Sequence, residues 1–165
     1  MLSTNQKGAI AEAAVIKEAV LLGMDVYRPV VEGCRYDLIL DTGATLLRTQ
    51  VKWARRKGDV IVVAIRTSRH TPGGYVRSTY SAAEIDGVAA WCEELRRCYF
   101  IPVADIDGQG YLHLRLRPAR NNQELLVHWA EQYEFGAIAQ LGERVTGSHE
   151  VAGSSPASST LEGPP

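Results

Sequence analysis

Residues 36–54 read YDLILDTGATLLRTQVKWA, and this stretch constrains the fold more than any other. Two β-forming runs flank Asp41-Thr42-Gly43-Ala44, a hairpin turn in which the glycine can take positive φ. Asp37 lies near the start of the first run. Gln50 and Lys52 lie on the second, two residues apart, and the period of a strand points them to one face while Val51 points to the other. An acid, an amide and an amine are thereby aimed across one pair of strands. On spacing alone two readings stand: a site for a cation and a phosphate, or a turn aspartate with a surface salt-bridge partner.

The flanking sequence has the elements to complete an α/β domain. Ser3-Thr4-Asn5 offers N-cap oxygens, and an Ala-rich segment follows to Leu22 with Gly23 as a stop, so a helix is expected over 5–22. Strands are expected at 25–31, 34–40, 45–53 and 59–65. The last is a continuous apolar run suited to a central strand buried on both faces. Arg55-Arg56-Lys57-Gly58 reads as a basic turn. Residues 66–80, RTSRHTPGGYVRSTY, read as a long loop carrying Arg66, Arg69, His70, Tyr75, Arg77 and Tyr80; structureless loops of this length in compact domains are often functional. For residues 82–103 propensity allows a helix from Ala82 to Arg96, but the strand-like Cys98-Tyr99-Phe100-Ile101 favours a hairpin of 85–92 with 97–103. Alternation predicts a half-exposed strand over 111–117. Leu125, Trp129 and Tyr133 at i, i+4, i+8 predict a helix over 121–135.

Residues 136–165 change character, becoming rich in Gly, Ser, Ala and Pro. They are expected to form a disordered tail. Reverse translation of Ala139–Arg144 and Gly153–Pro156 gives strings like the D- and T-arms of a tRNA gene, so the tail reads as translation through such a gene. The domain proper is expected over 1–135. No apolar run approaches the roughly 18 residues a membrane helix needs, and the polar start lacks a secretory core, so a soluble cytoplasmic protein with no membrane partner is expected. Cys34, Cys92 and Cys98 are scattered, as buried free thiols would be. Residues 1–120 hold 17 Lys and Arg against 13 Asp and Glu, while 121–165 hold one against six. The expected folded part is thus basic, which favours a polyanionic partner.

The order of helix Glu12, then Asp37, then Gln50-Val51-Lys52 resembles the PD-(D/E)xK nuclease superfamily. More narrowly it resembles the group I intron-associated homing endonucleases within it, where Q-x-K replaces (D/E)-x-K. Ala83–Cys92 followed by Cys98–Pro102 is similar to that group's second hairpin, and Asn121 with Trp129–Glu134 to its last helix. The resemblance covers about residues 3–135. It implies a restriction-endonuclease-like α/β core, a mixed sheet flanked by helices, with an appended hairpin and a C-terminal helix. It implies a Mg²⁺-dependent enzyme that hydrolyses double-stranded DNA to 5′-phosphate and 3′-hydroxyl ends. Asp37 would bind the metal with the Val51 carbonyl and Glu12. Gln50 would stand where the second acid usually does, and Lys52 would meet the scissile phosphate or the attacking water. Arg55, Arg56 and Lys57 beside such a site would contact backbone phosphates. Arg66, Arg69, Arg77 and Tyr80 would reach a groove, where Arg is the commonest base reader. Cutting both strands calls for a homo-oligomer, a dimer or tetramer. Two other readings remain: a junction resolvase or restriction-type relative, and a DNA-binding module without turnover, for which the neutral Gln50 argues.

Overall fold

The computed structural model describes residues 1–31, 33–71, 73–106, 108–118 and 126–138, with the backbone alone at 68–71 and 75–77. The chain opens with α1 (Thr4–Leu21), and its first turn is closed by a capping box. The Gln6 amide N–H donates to Ser3 Oγ at 3.2 Å, and Ser3 N–H donates to Gln6 Oε1 at 2.8 Å. Two orphan donors of the helix end are thereby satisfied. Ala11, Val15 and Ala19, at i, i+4, i+8, are the residues it buries. Small side chains on that stripe let the helix lie close on the sheet.

The strands are β1 (Asp25–Tyr27), β2 (Leu38–Asp41), β3 (Leu46–Lys57), β4 (Val60–Ala64), β5 (Thr67–Thr71), β6 (Gly74–Ser78), β7 (Gly87–Cys92), β8 (Arg97–Pro102), β9 (Tyr111–Arg115) and β10 (His128–Trp129). The long β3 organises the sheet. Its start pairs antiparallel with β2, its middle parallel with β7, and its end antiparallel with β4. β7 is buried on both faces. Val88, Ala90 and Cys92 enter one core cluster with Ile61, Val63, Ile101 and Leu114, while Ala89 enters the other with Val15, Leu38, Val51 and Phe100. This is the expected signature of a strand in parallel pairing, a run without polar alternation.

The sheet is mixed and the fold α/β, with one α-helix among the described residues. Several expectations are corrected. The basic segment Arg55–Lys57 is the end of β3, and the turn is Gly58-Asp59, with Gly58 at φ 59°. β4 lies between β3 and β9 but buries one face only, through Ile61 and Val63. The 66–80 loop is a hairpin, β5–β6, paired from Thr67↔Ser78 to Thr71↔Gly74 and forming its own two-stranded sheet. The β7–β8 hairpin is no appendage, since β7 joins β3 within the main sheet. Of the expected C-terminal helix, 121–125 lie outside the described residues, and 126–135 are not α-helical. β10 adds parallel to β9, and two 3₁₀ turns follow at Ala130–Tyr133 and Phe135–Ala137. Leu126 sits at φ 59°, which no α-helix accommodates. Tyr133 is instead tied down by hydrogen bonds to His128 Nδ1 (2.7 Å) and Asp105 Oδ2 (3.0 Å). Ile138, beyond the expected domain end, is fully buried; residues 139–165 of the expected tail lie outside the described residues. Cys92 and Cys98 are buried free thiols, but Cys34 is exposed. No helix among the described residues is long and apolar enough to cross a membrane.

Candidate functional site

β2 stops pairing with β3 at Leu38↔Thr49, and the chemistry gathers at that stop. One residue further, Asp37 N–H still donates to the Thr49 carbonyl at 3.0 Å. The Asp37 side chain then continues the ladder where the strand ends. Its Oδ2 accepts the Val51 amide N–H at 2.8 Å and also accepts from Gln50 Nε2. The same Gln50 nitrogen lies 3.5 Å from the Val51 carbonyl oxygen. One electropositive –NH₂ group is therefore held between a carboxylate oxygen and a backbone carbonyl oxygen. A half-turn of the amide would present Oε1 at that point and complete three oxygen donors. Oxygen donors are what a hard divalent cation takes.

Glu12 on α1 and Arg28, just past β1, border the site. They form an ion pair at 3.1 Å and line, with Asp37, Tyr36 and Cys34, a cavity of about 370 Å³. Burial raises the Asp37 carboxyl above the ordinary carboxylate range. The Val51 N–H and the charges of Lys52 and Arg28 oppose that rise without cancelling it. Glu12 is raised too, by burial and by the Asp37 charge, against the pull of Arg28. Burial thus disfavours the charge on both carboxylates, a situation a cation would relieve.

Lys52 is half-buried. Burial lowers its ammonium below the usual lysine range, the Asp37 charge opposes this, and Arg35 adds to it. Its Nζ makes no hydrogen bond or ion pair among the described residues; it lies 5.5 Å from the centre of the Tyr80 ring. A second cavity, of about 610 Å³, is lined by Lys7 and Thr4 of α1, by Val51, Lys52, Trp53, Arg55 and Lys57 of β3, and by Tyr111. Lys7 Nζ stands 5.9 Å over the Trp53 ring. This basic trough adjoins the Asp37–Lys52 strands.

Asp37, Gln50, Val51 and Lys52 come together as the spacing predicts, with Glu12 at the border. Arg55 and Lys57 line the trough. Arg56 departs: its Nε donates to the Gly58 carbonyl at 2.8 Å and braces the turn. Arg66 is half-buried with its guanidinium 5.2 Å over the Tyr111 ring. The side chains of Arg69, His70, Tyr75 and Arg77 lie outside the described residues; their backbones belong to β5 and β6. Tyr80 is corrected. It is only 5% exposed and packs in the first core cluster, so it does not reach outward from a loop. Sequence reading missed Lys7, Arg28 and Arg35. Arg35 shares strand parity with Asp37, which was the available signal; Lys7 and Arg28 join the site only through folding.

The fold is thus a mixed sheet backed by a helix, with an acid at a strand end facing Gln50 and Lys52 on its neighbour. Residues 2–136 match the PD-(D/E)XK endonuclease family, and the chain belongs to it. A solved structure titled as a bacterial homing endonuclease, I-Ssp6803I, is 29% identical and superposes with a TM-score of 0.71 over 91% of this chain and 100% of its own. No curated protein matches the chain. Membership makes the protein an endonuclease; the family implies DNA as substrate and generally works with divalent metal ions.

Proposed function

We propose that the chain is a Mg²⁺-dependent endonuclease of double-stranded DNA, a homing or mobile-element enzyme of the Q-x-K kind associated with group I introns. The observation that carries this is the grouping of the Asp37 carboxylate, the Gln50 amide and the Val51 carbonyl at the end of β2, beside an ammonium that no anion among the described residues engages. Asp37, Val51 and Gln50 through Oε1 would hold the ion, with Glu12 directly or through water. The ion supplies positive charge opposite the phosphate and acidifies water. Lys52 donates to a phosphate oxygen or to the attacking water, for which its ammonium is uncommitted. Arg55, Lys57 and Lys7 line a track for the phosphates beyond the cut, which would position the duplex without reading it. The β5–β6 hairpin, with Arg69 and Arg77, is suited in size to a groove, since a two-stranded ribbon fits the major groove. One such site cuts one strand, so a dimer or higher assembly is expected for double-strand cleavage.

Residues 136–165 are read as translation of an adjoining tRNA gene, and that locus is the first DNA to test. Sequencing it settles this part: a stop codon before Gly136, or no tRNA gene there, ends the idea. Cleavage of this DNA should require Mg²⁺. Asp37→Ala and Lys52→Ala should abolish it while largely sparing binding. Undiminished cleavage by Asp37→Ala would refute the assignment. Gln50, a neutral residue where an acid is usual, favours one rival: a DNA-binding module without turnover. DNA shifted but never nicked, with Lys52→Ala indistinguishable from wild type, would establish that rival.

A further inference from the structure

Tyr80 lies between β6 and the turn that precedes β7, far in sequence from the Q-x-K strand. Its ring nonetheless faces the Lys52 ammonium, whose Nζ is 5.5 Å from the ring centre. A carboxylate in that place would occupy the ammonium's hydrogen-bond donors and hold it in an ion pair. An aromatic face attracts the cation and leaves donors free for an incoming phosphate. The ring is itself held. The Arg35 guanidinium is 5.1 Å from it. That guanidinium is fastened to Thr67 Oγ1 (3.3 Å), Ser78 Oγ (3.2 Å), the Thr79 carbonyl (2.9 Å) and Glu84 (2.9 Å). The Tyr80 hydroxyl, by contrast, is buried without a hydrogen-bond partner among the described residues. A phenylalanine would fill the core as well and leave no orphan hydroxyl. The ring is therefore the part of this side chain that the surroundings use.

We infer that Tyr80 is a positioning residue for Lys52: its ring face, clamped by Arg35 to the base of the β5–β6 hairpin, holds the Lys52 ammonium beside Asp37 with its donors free for the phosphate. This rests on the functional reading above, in which Lys52 acts on the phosphate or water.

The test keeps the shape of residue 80 and changes only the charge of its face. Tyr80→Phe is made first, then Phe bearing one, two and three fluorines at the same position, in the full-length chain. Each fluorine drains electron density from the ring face with little change in packing. Tyr80→Phe should retain most of the turnover, and kcat should fall stepwise with fluorination, by tenfold or more at three fluorines. Affinity for the same DNA without Mg²⁺ should stay within twofold, and so should KM. A second readout needs no activity. The chain has four lysines, Lys7, Lys17, Lys52 and Lys57. Selective ¹³C-lysine labelling therefore gives four Cε–Hε signals, and Lys52→Arg identifies the one from Lys52. That signal should be shifted upfield by the ring in the wild type and in Tyr80→Phe. A normal Lys52 shift, a flat response to fluorination, or a loss in Tyr80→Phe as deep as in the trifluorinated form each overturns the inference. Lys52→Ala separates the two levels. If it cleaves like wild type, the functional reading has failed; if it is dead while the fluorinated series is flat, only the role of Tyr80 has failed.

Discussion

Gln50→Glu would restore an acid to the strand, and the structure says what that must do. The wild-type amide donates to Asp37 Oδ2 and lies 3.5 Å from the Val51 carbonyl oxygen. The substitution removes that donor, at a cost of about 1.5–3 kcal/mol for a lost bond to a charged group. It also sets a second carboxylate about 4 Å from the first, a repulsion of about 4 kcal/mol at the effective dielectric of a partly exposed site. Asp37 is already raised by burial, so the pair relieves the repulsion by keeping a proton toward neutral pH. Both carboxyls then have folded-state pKa values above their unfolded ones. Their contribution to stability is full at low pH and is lost as pH rises through the folded values. Without metal, the variant should melt about 6–20 °C below wild type at pH 8, and the gap should close toward pH 5. A divalent cation removes the repulsion. Screening leaves only part of the 4 kcal/mol, so Mg²⁺ should bind ten- to a hundredfold tighter, about 1.4–2.8 kcal/mol. Binding should also release about one proton at neutral pH. Calorimetry in two buffers of different ionisation enthalpy measures the affinity and the proton together. Unchanged Mg²⁺ affinity with an unchanged melting curve would show that Gln50 does not border a cation site.

Asp37→Asn removes a carboxylate that burial holds above its usual range. Because that group costs folded-state stability once the pH is above its pKa, the metal-free variant should melt at or above wild type at pH 7. Its Tm should no longer rise on adding Mg²⁺, and scanning calorimetry with and without the ion checks both. Arg55→Ala with Lys57→Ala, two trough residues, should weaken DNA binding uniformly across sequences. The slope of log K against log salt should shrink by about 1–2 units, measured by fluorescence anisotropy. Gly87→Ala should lower Tm by several degrees in urea or thermal melts. A Cβ there would meet the Phe100 ring and lie 2.8 Å from the Ile101 carbonyl oxygen, and overpacking of this kind costs about 1–3 kcal/mol.

What the chain announces about itself is local. The cap, the Ala-rich run and Gly23 are enough for α1, because each acts within a few residues of where it stands. The face it buries is not legible in the same way, since Ile10, Ala13, Ala14, Val20 and Leu21 share helical spacing yet Ala11, Val15 and Ala19 are the ones covered by the sheet. The turn at Asp41–Ala44 is enough to pair β2 with β3, and strand period alone turns Gln50 and Lys52 to one face opposite Asp37. The β7–β8 hairpin was legible for the same reason. Where local preference met tertiary pairing, pairing prevailed. Trp129 and Tyr133 have helical spacing, yet β9 offered ladder bonds to His128 and Trp129, and Asp105 offered Tyr133 an acceptor. The basic Arg55–Lys57 looks like a turn but continues β3, since β4 and the positive-φ Gly58 place the reversal later.

The site divides in the same way. Its acid, amide and amine lie on two neighbouring strands, so their meeting is a property of the sequence. Its surroundings do not lie close in the chain. Arg28 reaches Glu12 across α1, Lys7 joins Arg55 and Lys57 in one trough, and Tyr80 lies under Lys52 with Arg35 bracing it. No periodicity encodes those contacts, because each depends on where the whole sheet carries segments 16 to 50 residues apart. Tyr80 shows the consequence most plainly: in sequence it is the last residue of a basic loop, and in the folded chain it is a buried wall of the site.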